Sequence, residues 1–177
     1  VVFNHIVKVK AADQKIYIVP LSGTVDPGMA AFTKRILYDQ MDDPGSLFIF
    51  ELDTFGGRVD SALQIVDLLT SVPKEKTIAF VKTKAISAGA LIALACSRIV
   101  MKKNTTIGDC APITYSNQGP QRLGEKFQSP LRAKFRALAK RNGYPETLAE
   151  SMVTAEMVVY AVEMDGRTIY MDSQAFD

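Results

Sequence analysis

The stretch Lys84-Ala85-Ile86-Ser87-Ala88-Gly89-Ala90, with the uncharged run Leu91-Ile92-Ala93-Leu94-Ala95-Cys96 behind it, constrains this chain more than any other feature. A strand-like run, Thr77 to Val81, leads in, and a helix-length apolar segment leads out. Small residues around one hydroxyl permit a sharp strand-to-helix turn and close approach of another backbone. First-turn amides of a helix have no intrahelical acceptor, and with the positive end of the helix dipole they can hold an oxyanion. A serine directly before an apolar helix is also a favoured N-cap. Ser87 therefore reads either as a cap or as a nucleophile, and the rest of the chain must decide.

Ahead of this stretch, Ile16 to Leu21 reads as a buried strand and Asp26-Pro27-Gly28 as a turn opening a helix, with Pro27 at its first position. Leu47 to Leu52 is a second buried strand, ending at Asp53-Thr54-Phe55-Gly56-Gly57. A helix follows with Val59, Leu63, Val66 and Leu69 about one turn apart. Beyond the Ser87 helix, Arg98 to Met101 is a short strand and Thr105 to Pro112 a loop. Alternating strands and helices with short connections predict a largely parallel α/β sheet, which puts Gly56-Gly57 and Ser87 at carboxyl ends of strands, where such folds place sites. Thr114 to Gly124 is polar and reads as a mobile surface loop. Pro130 to Asn142 is a helix whose Arg132, Arg136, Lys140 and Arg141 lie off the apolar face and read as a solvated basic surface. A short helix from Pro145 to about Val153 and a hairpin over Val158 to Asp172, turning at Asp165-Gly166, complete the chain.

At 177 residues the sequence suits one domain spanning 1–177, with no internal repeat or linker. Its net charge of +2, with no basic run interleaved with aromatics, argues against nucleic acid. Cys96 and Cys110 are too few for a disulfide framework and lack metal-ligand partners, so no metal and no cofactor are expected. No apolar run reaches the ~18–20 residues that cross a bilayer. The chain opens at Val1 without Met or signal peptide, and so reads as a piece of something longer.

A Ser-His-Asp triad needs a histidine, and the sequence has only His5, in what reads as a terminal strand. The remaining routine base for a serine is a neutral lysine, with Lys84, Lys103, Lys126 and Lys134 all in contention.

Three ordered motifs bear on the choice. Asp53-Thr54-Phe55-Gly56-Gly57-Arg58-Val59 is similar to the (N/D)TPGG motif of the ClpP-class membrane serine proteases. Lys84 to Ala95 resembles their nucleophile motif, and Thr105 to Ile113 their TxIGxxxPI segment. The branch most resembled is the NfeD-type, or stomatin operon partner, proteins, with signal peptide peptidase A more distant, and the likeness covers roughly Ile16 to Val153. It implies a ClpP/crotonase-type α/β spiral of ββα units and an ATP-independent serine endopeptidase; no Walker A loop is present. Carried over position by position, Ser87 matches the nucleophile. Gly57, joined by Gly56, and Ala88 match the oxyanion-hole donors. Lys126 matches the general base by its spacing before Leu138-Ala139 and Gly143. The resemblance further implies a membrane-associated, extracytoplasmic setting, with a signal sequence before Val1 and transmembrane helices after Asp177. Expected partners are a polypeptide substrate, including a stomatin-like membrane protein, and further copies of the chain in a homo-oligomer.

Two positions depart from the pattern. Phe55 replaces the usual proline and is expected to line the substrate cleft. Asp109 is a charge where a small residue is usual, and reads as either paired with a lysine or solvated. Two other classes stay open: a catalytically silent scaffold that keeps the fold for membrane-protein assembly, and a crotonase-type acyl-CoA enzyme, which shares the oxyanion amides but has no use for a serine.

Overall fold

The four apolar runs read as strands do pair, side by side in chain order and all parallel. The computed structural model describes residues 14–40, 42–43 and 45–176; His5 and its expected terminal strand lie outside them. In chain order the elements are β1 (Lys15–Val25), α1 (Pro27–Gln40), β2 (Ser46–Gly57), α2 (Val59–Ser71), β3 (Thr77–Ile86), α3 (Ala88–Ala95) and β4 (Arg98–Met101). There follow β5 (Thr106–Gly108), β6 (Ile113–Ser116), β7 (Gly119–Arg122), α4 (Glu125–Asn142), α5 (Glu146–Ser151), β8 (Val159–Met164), β9 (Arg167–Asp172) and α6 (Ser173–Phe176).

β2 alternates buried and half-buried residues over most of its length, as a strand covered on both faces does. Phe48, Phe50 and Leu52 from it, Leu21 from β1, Val81 from β3 and Ile65 and Leu69 from α2 form the centre of one core cluster. Every residue of α3 is buried, which is why this helix carries no charge. α1 starts at Pro27, with Asp26 Oδ1 accepting the Met29 amide at 2.8 Å as an N-cap.

Three segments differ from the sequence expectation. Part of the 105–112 loop is β5, which pairs with Lys84–Ile86 of β3 past the end of β4. The segment expected to be a mobile loop is an antiparallel hairpin, β6–β7; Ser116 Oγ accepts the Gln118 amide and donates to Gly119 O, closing its turn. α4 begins not at Ser129-Pro130 but five residues earlier, at Glu125, with Gly124 as N-cap. Gly124 O accepts the Phe127 and Gln128 amides, and an ion pair from Arg132 to Glu125 ties the added turn to the helix body. Pro130 thus sits inside the helix and offers no N–H to the Lys126 carbonyl one turn back.

The expected solvated basic face of α4 is also corrected. Arg132 and Arg136 pair with Glu150 of α5. Arg141 donates to Ala95 O and Thr70 O, and Asn142 Nδ2 donates to Leu94 O and Cys96 O. These are the orphan carbonyls at the ends of α3 and α2. The end of α4 therefore holds the C-terminus of the helix whose N-terminus carries Ser87.

Candidate functional site

Ser87 occupies the single-residue turn between β3 and α3 with φ 55° and ψ −118°. That conformation is costly for a residue with a Cβ and persists only where its surroundings impose it. The Ser87 amide donates to Gly108 O at 2.8 Å, and the Ser87 carbonyl accepts the Ala90 amide at 3.0 Å. The side chain makes no capping hydrogen bond. Ser87 thus stands at the N-cap position of α3 without capping it through its side chain, and the residue is half-exposed.

The glycine turn at the end of β2 is pressed against this serine. A Cβ on Gly56, whose φ is +98°, would lie 2.7 Å from Ser87 Cβ and 3.1 Å from Ala88 N. On Gly57 it would lie 2.2 Å from Val25 O, and on Gly89 2.6 Å from Thr54 Cγ2. Each glycine is therefore required by close approach. The amides divide between two jobs. Gly56 N donates to Thr54 Oγ1 at 2.9 Å, so it is committed within the turn. Arg58 N donates to Val25 O at 2.8 Å on the β1 side. Alternation along the strand then turns the Gly57 N–H to the opposite edge, where the ladder with β3 has already ended at Thr54–Ala85. Ala88 N lies in the first turn of α3. Gly57 and Ala88, rather than Gly56, are left as donors beside Ser87.

Thr54 has no role in the sequence reading, yet it organises the turn: buried, it accepts from Gly56 N and donates to Gly23 O, locking β2 to β1. The available signal was a hydroxyl two residues before a glycine, the spacing of a side-chain turn.

Two hollows meet at Ser87. One is narrow, with room for about one water, and is walled by Val59, Ala62, Ala88, Leu91, Cys110 and Phe135 among others. The other is open, about 1020 Å³ including the space at its mouth, and is bordered by Phe55, Gly56, Gly57, Arg58, Asp109 and Ile113. Asp109 is exposed and has no ion pair among the described residues, so of its two readings the solvated one holds. Phe55 is 76% exposed on the rim.

Neither hollow is lined by a lysine. Lys126 is exposed in the first turn of α4, and the structure does not bring it to Ser87. Lys84 is occupied: its Nζ is 2.8 Å from Asp53 Oδ1, and with Thr83 it holds the Asp53 carboxyl below the usual carboxylate range. Lys134 reaches Asp67 at 3.3 Å. No cluster of three potential metal ligands occurs among the described residues.

Cys110 packs under the turn, its thiol donating to Ser87 O at 3.5 Å, and burial pushes that thiol up to about 12. Burial likewise pushes up the Cys96 thiol. Both thiols are protonated at neutral pH and shielded. Treatment of the native protein with iodoacetamide at pH 7.5 is expected to leave both unmodified by mass spectrometry and any hydrolytic activity unchanged; loss of activity with alkylation of Cys110 would make the thiol the sensitive group.

A nucleophile-type turn, a glycine turn packed on it and a parallel sheet behind them define a ClpP-type protease fold. ClpP1 from Listeria monocytogenes superposes with a TM-score of 0.59, covering 89% of this chain and 84% of that one, at 16% identity, a likeness of fold alone. The description "NfeD1b, N-terminal domain" matches residues 15–174, and the chain belongs to that family. It is 32% identical over 148 residues to the membrane protein NfeD1b of Bacillus subtilis, covering 84% of this chain and 33% of that protein. To the membrane-bound protease PH1510 of Pyrococcus horikoshii it is 35% identical over 133 residues, 68% of this chain and 30% of that protein. It thus spans about a third of the length of these relatives. Among solved structures, a membrane-bound stomatin-specific protease with a serine replaced by alanine matches with a TM-score of 0.75 and 26% identity, covering 93% of this chain and 75% of that one. The same protease with a lysine replaced by alanine, in complex with a substrate peptide, matches with 0.74 and 30%, covering 82% and 68%. Both curated relatives are membrane proteins; among the described residues here no helix is long and apolar enough to cross a membrane.

Proposed function

We propose that this chain is the catalytic domain of an ATP-independent serine endopeptidase that cleaves apolar or membrane-proximal polypeptide segments with a Ser87–Lys126 dyad. The observation that carries the reading is the Ser87 turn: a strained serine whose side chain caps nothing, with the Gly56 turn packed against it and the first amide of α3 directly behind it. Ser87 Oγ attacks the scissile carbonyl while Lys126 Nζ takes its proton. The Gly57 and Ala88 amides hold the developing oxyanion, each worth about 3 kcal/mol in comparable sites. Collapse of the tetrahedral intermediate breaks the C–N bond, and the lysine returns the proton to the leaving amine. Water activated by the same amine then hydrolyses the acyl-enzyme. The serine and lysine replaced in the two solved relatives stand about forty positions apart, as Ser87 and Lys126 do. The narrow apolar hollow suits a small apolar side chain next to the scissile bond.

The names of the relatives extend the proposal to a membrane setting and a stomatin-like substrate, and the motif resemblance extends it to an extracytoplasmic side and a homo-oligomer. A fluorophosphonate probe tests its centre. Covalent labelling that maps to Ser87 is expected. A folded protein that neither reacts at Ser87 nor cleaves casein is the result that favours the silent scaffold, and turnover of acyl-CoA without labelling would favour the crotonase chemistry.

A further inference from the structure

Phe55 is conspicuous because it is large, apolar and 76% exposed beside the glycine turn. Its ring is not loose. Lys84 Nζ lies 4.5 Å from the ring centroid, and the same ammonium is 2.8 Å from Asp53 Oδ1. Asp53 also accepts a hydrogen bond from Thr83 Oγ1. The arrangement comes from an irregularity between β2 and β3. Leu52 pairs with Val81 and Thr54 with Ala85, so four residues of β3 advance against two of β2. The two surplus residues bulge the strand and bring Thr83 and Lys84 against Asp53. The cation engages the ring while most of the ring's surface stays open to solvent at the cleft.

We propose that Phe55 is a specificity wall for a bulky apolar or aromatic side chain of the bound peptide, and that Lys84, fixed by Asp53, is a positioning residue that holds the ring in place. The inference rests on the protease reading above and adds the subsite to it. The narrow hollow and the open cleft share Ser87 and no other lining residue, the first bordered by Ala88 and Leu91, the second by Gly56 and Phe55. A peptide across Ser87 therefore places a small apolar side chain in the first and a large one against Phe55 in the second. Anchoring the ring before the peptide arrives removes the ordering cost that a free exposed ring would incur on binding. Cation–ring contact draws on the negative face of the ring, and arginine can supply it as lysine does. The same ion pair explains why Lys84, though nearest to Ser87 in sequence, serves the cleft and not the proton transfer.

The test uses pairs of internally quenched peptides that differ only in Phe or Ala at one position within two residues of the scissile bond. Phe55→Ala is expected to lower the Phe-to-Ala preference, the ratio of the two kcat/KM values, about tenfold, mainly through KM for the Phe peptide. Lys84→Met, which keeps the stem and removes the charge, is expected to lower the Phe-to-Ala preference about fivefold, and Lys84→Arg to restore it. The chain contains no tryptophan, so Phe55→Trp supplies a lone reporter. In a Ser87→Ala background its emission is expected to shift to the blue on titration with the Phe peptide. An unchanged preference in Phe55→Ala, or emission that ignores the peptide, overturns the wall. Equal losses on both peptides in Lys84→Met without rescue by arginine overturn the positioning role. Hydrolysis that survives Ser87→Ala overturns the protease reading instead, and the fluorescence titration still decides on Phe55.

Discussion

Ser87→Ala is expected to lower peptide hydrolysis by about 10⁴-fold or more, the scale seen when a nucleophile is removed from a serine protease site. The same substitution is expected to leave the thermal midpoint Tm within about 1–2 °C of the wild type. Both halves follow from one geometry. The Ser87 side chain makes no capping bond, so alanine forfeits no hydrogen bond to the helix. Alanine also carries the same backbone penalty at φ 55° as serine does, so the turn is no more strained after the change than before. A capping serine behaves in the opposite way. Its loss costs roughly 1 kcal/mol of stability, or about 2–4 °C for a domain of this size, and has no specific effect on chemistry. Calorimetry and peptide hydrolysis on the same preparation separate the two. Retained hydrolysis would remove Ser87 from the mechanism.

Lys126→Ala and Lys126→Arg are both expected to lose about 10²–10⁴-fold in kcat, the usual contribution of a general base. Arginine keeps its proton at any accessible pH and so cannot replace an amine that must accept one. Stability should be indifferent to both changes, since the residue is exposed and sits in the first turn of α4. Lys134→Ala, which removes the partner of Asp67 on another part of the surface, should hydrolyse at the wild-type rate. If Lys126→Ala stays active while Lys84→Met or Lys134→Ala is inert, a different lysine is the base. If all of them stay active, no lysine is.

Between Lys15 and Met101 most elements were legible because their strands are apolar runs and their helices carry apolar stripes. What escaped was structure held by polar residues. β3 continues through Lys82, Thr83 and Lys84 to Ile86, a stretch without the apolar pattern of a buried strand, because cross-strand pairs with Glu51 and Asp53 carry it. β6 and β7 are short and their described residues largely exposed, so no alternation marks them. Ser129-Pro130 looks like a helix start because serine and proline favour those positions, but a proline is tolerated in the second turn once Glu125 and Arg132 bridge across it. At the site, Ser87 and the glycine turn were visible as clusters of small residues. Thr54 was inconspicuous because its role lies in two hydrogen bonds to backbone that only the folded register brings together. The functions of Arg141 and Asn142, which hold the end of α3, depend on contacts more than forty residues apart.

Pro130 gives the first turn of α4 its own clock. The core contacts of this helix, through Phe135, Leu138 and Ala139, all lie beyond the proline, while Lys126 and Phe127 before it are exposed. Reorienting that turn gives up the Arg132–Glu125 ion pair, but it breaks no bond from residue 130 to the Lys126 carbonyl and uncovers none of those buried side chains. Motions of such short terminal segments run in nanoseconds to microseconds. Enzymes typically turn over only 1–10³ times per second. On the proposed Ser87–Lys126 reading, a reorientation of this turn that delivers the amine to a bound peptide is about a thousandfold or more faster than turnover and adds no kinetic step of its own to kcat.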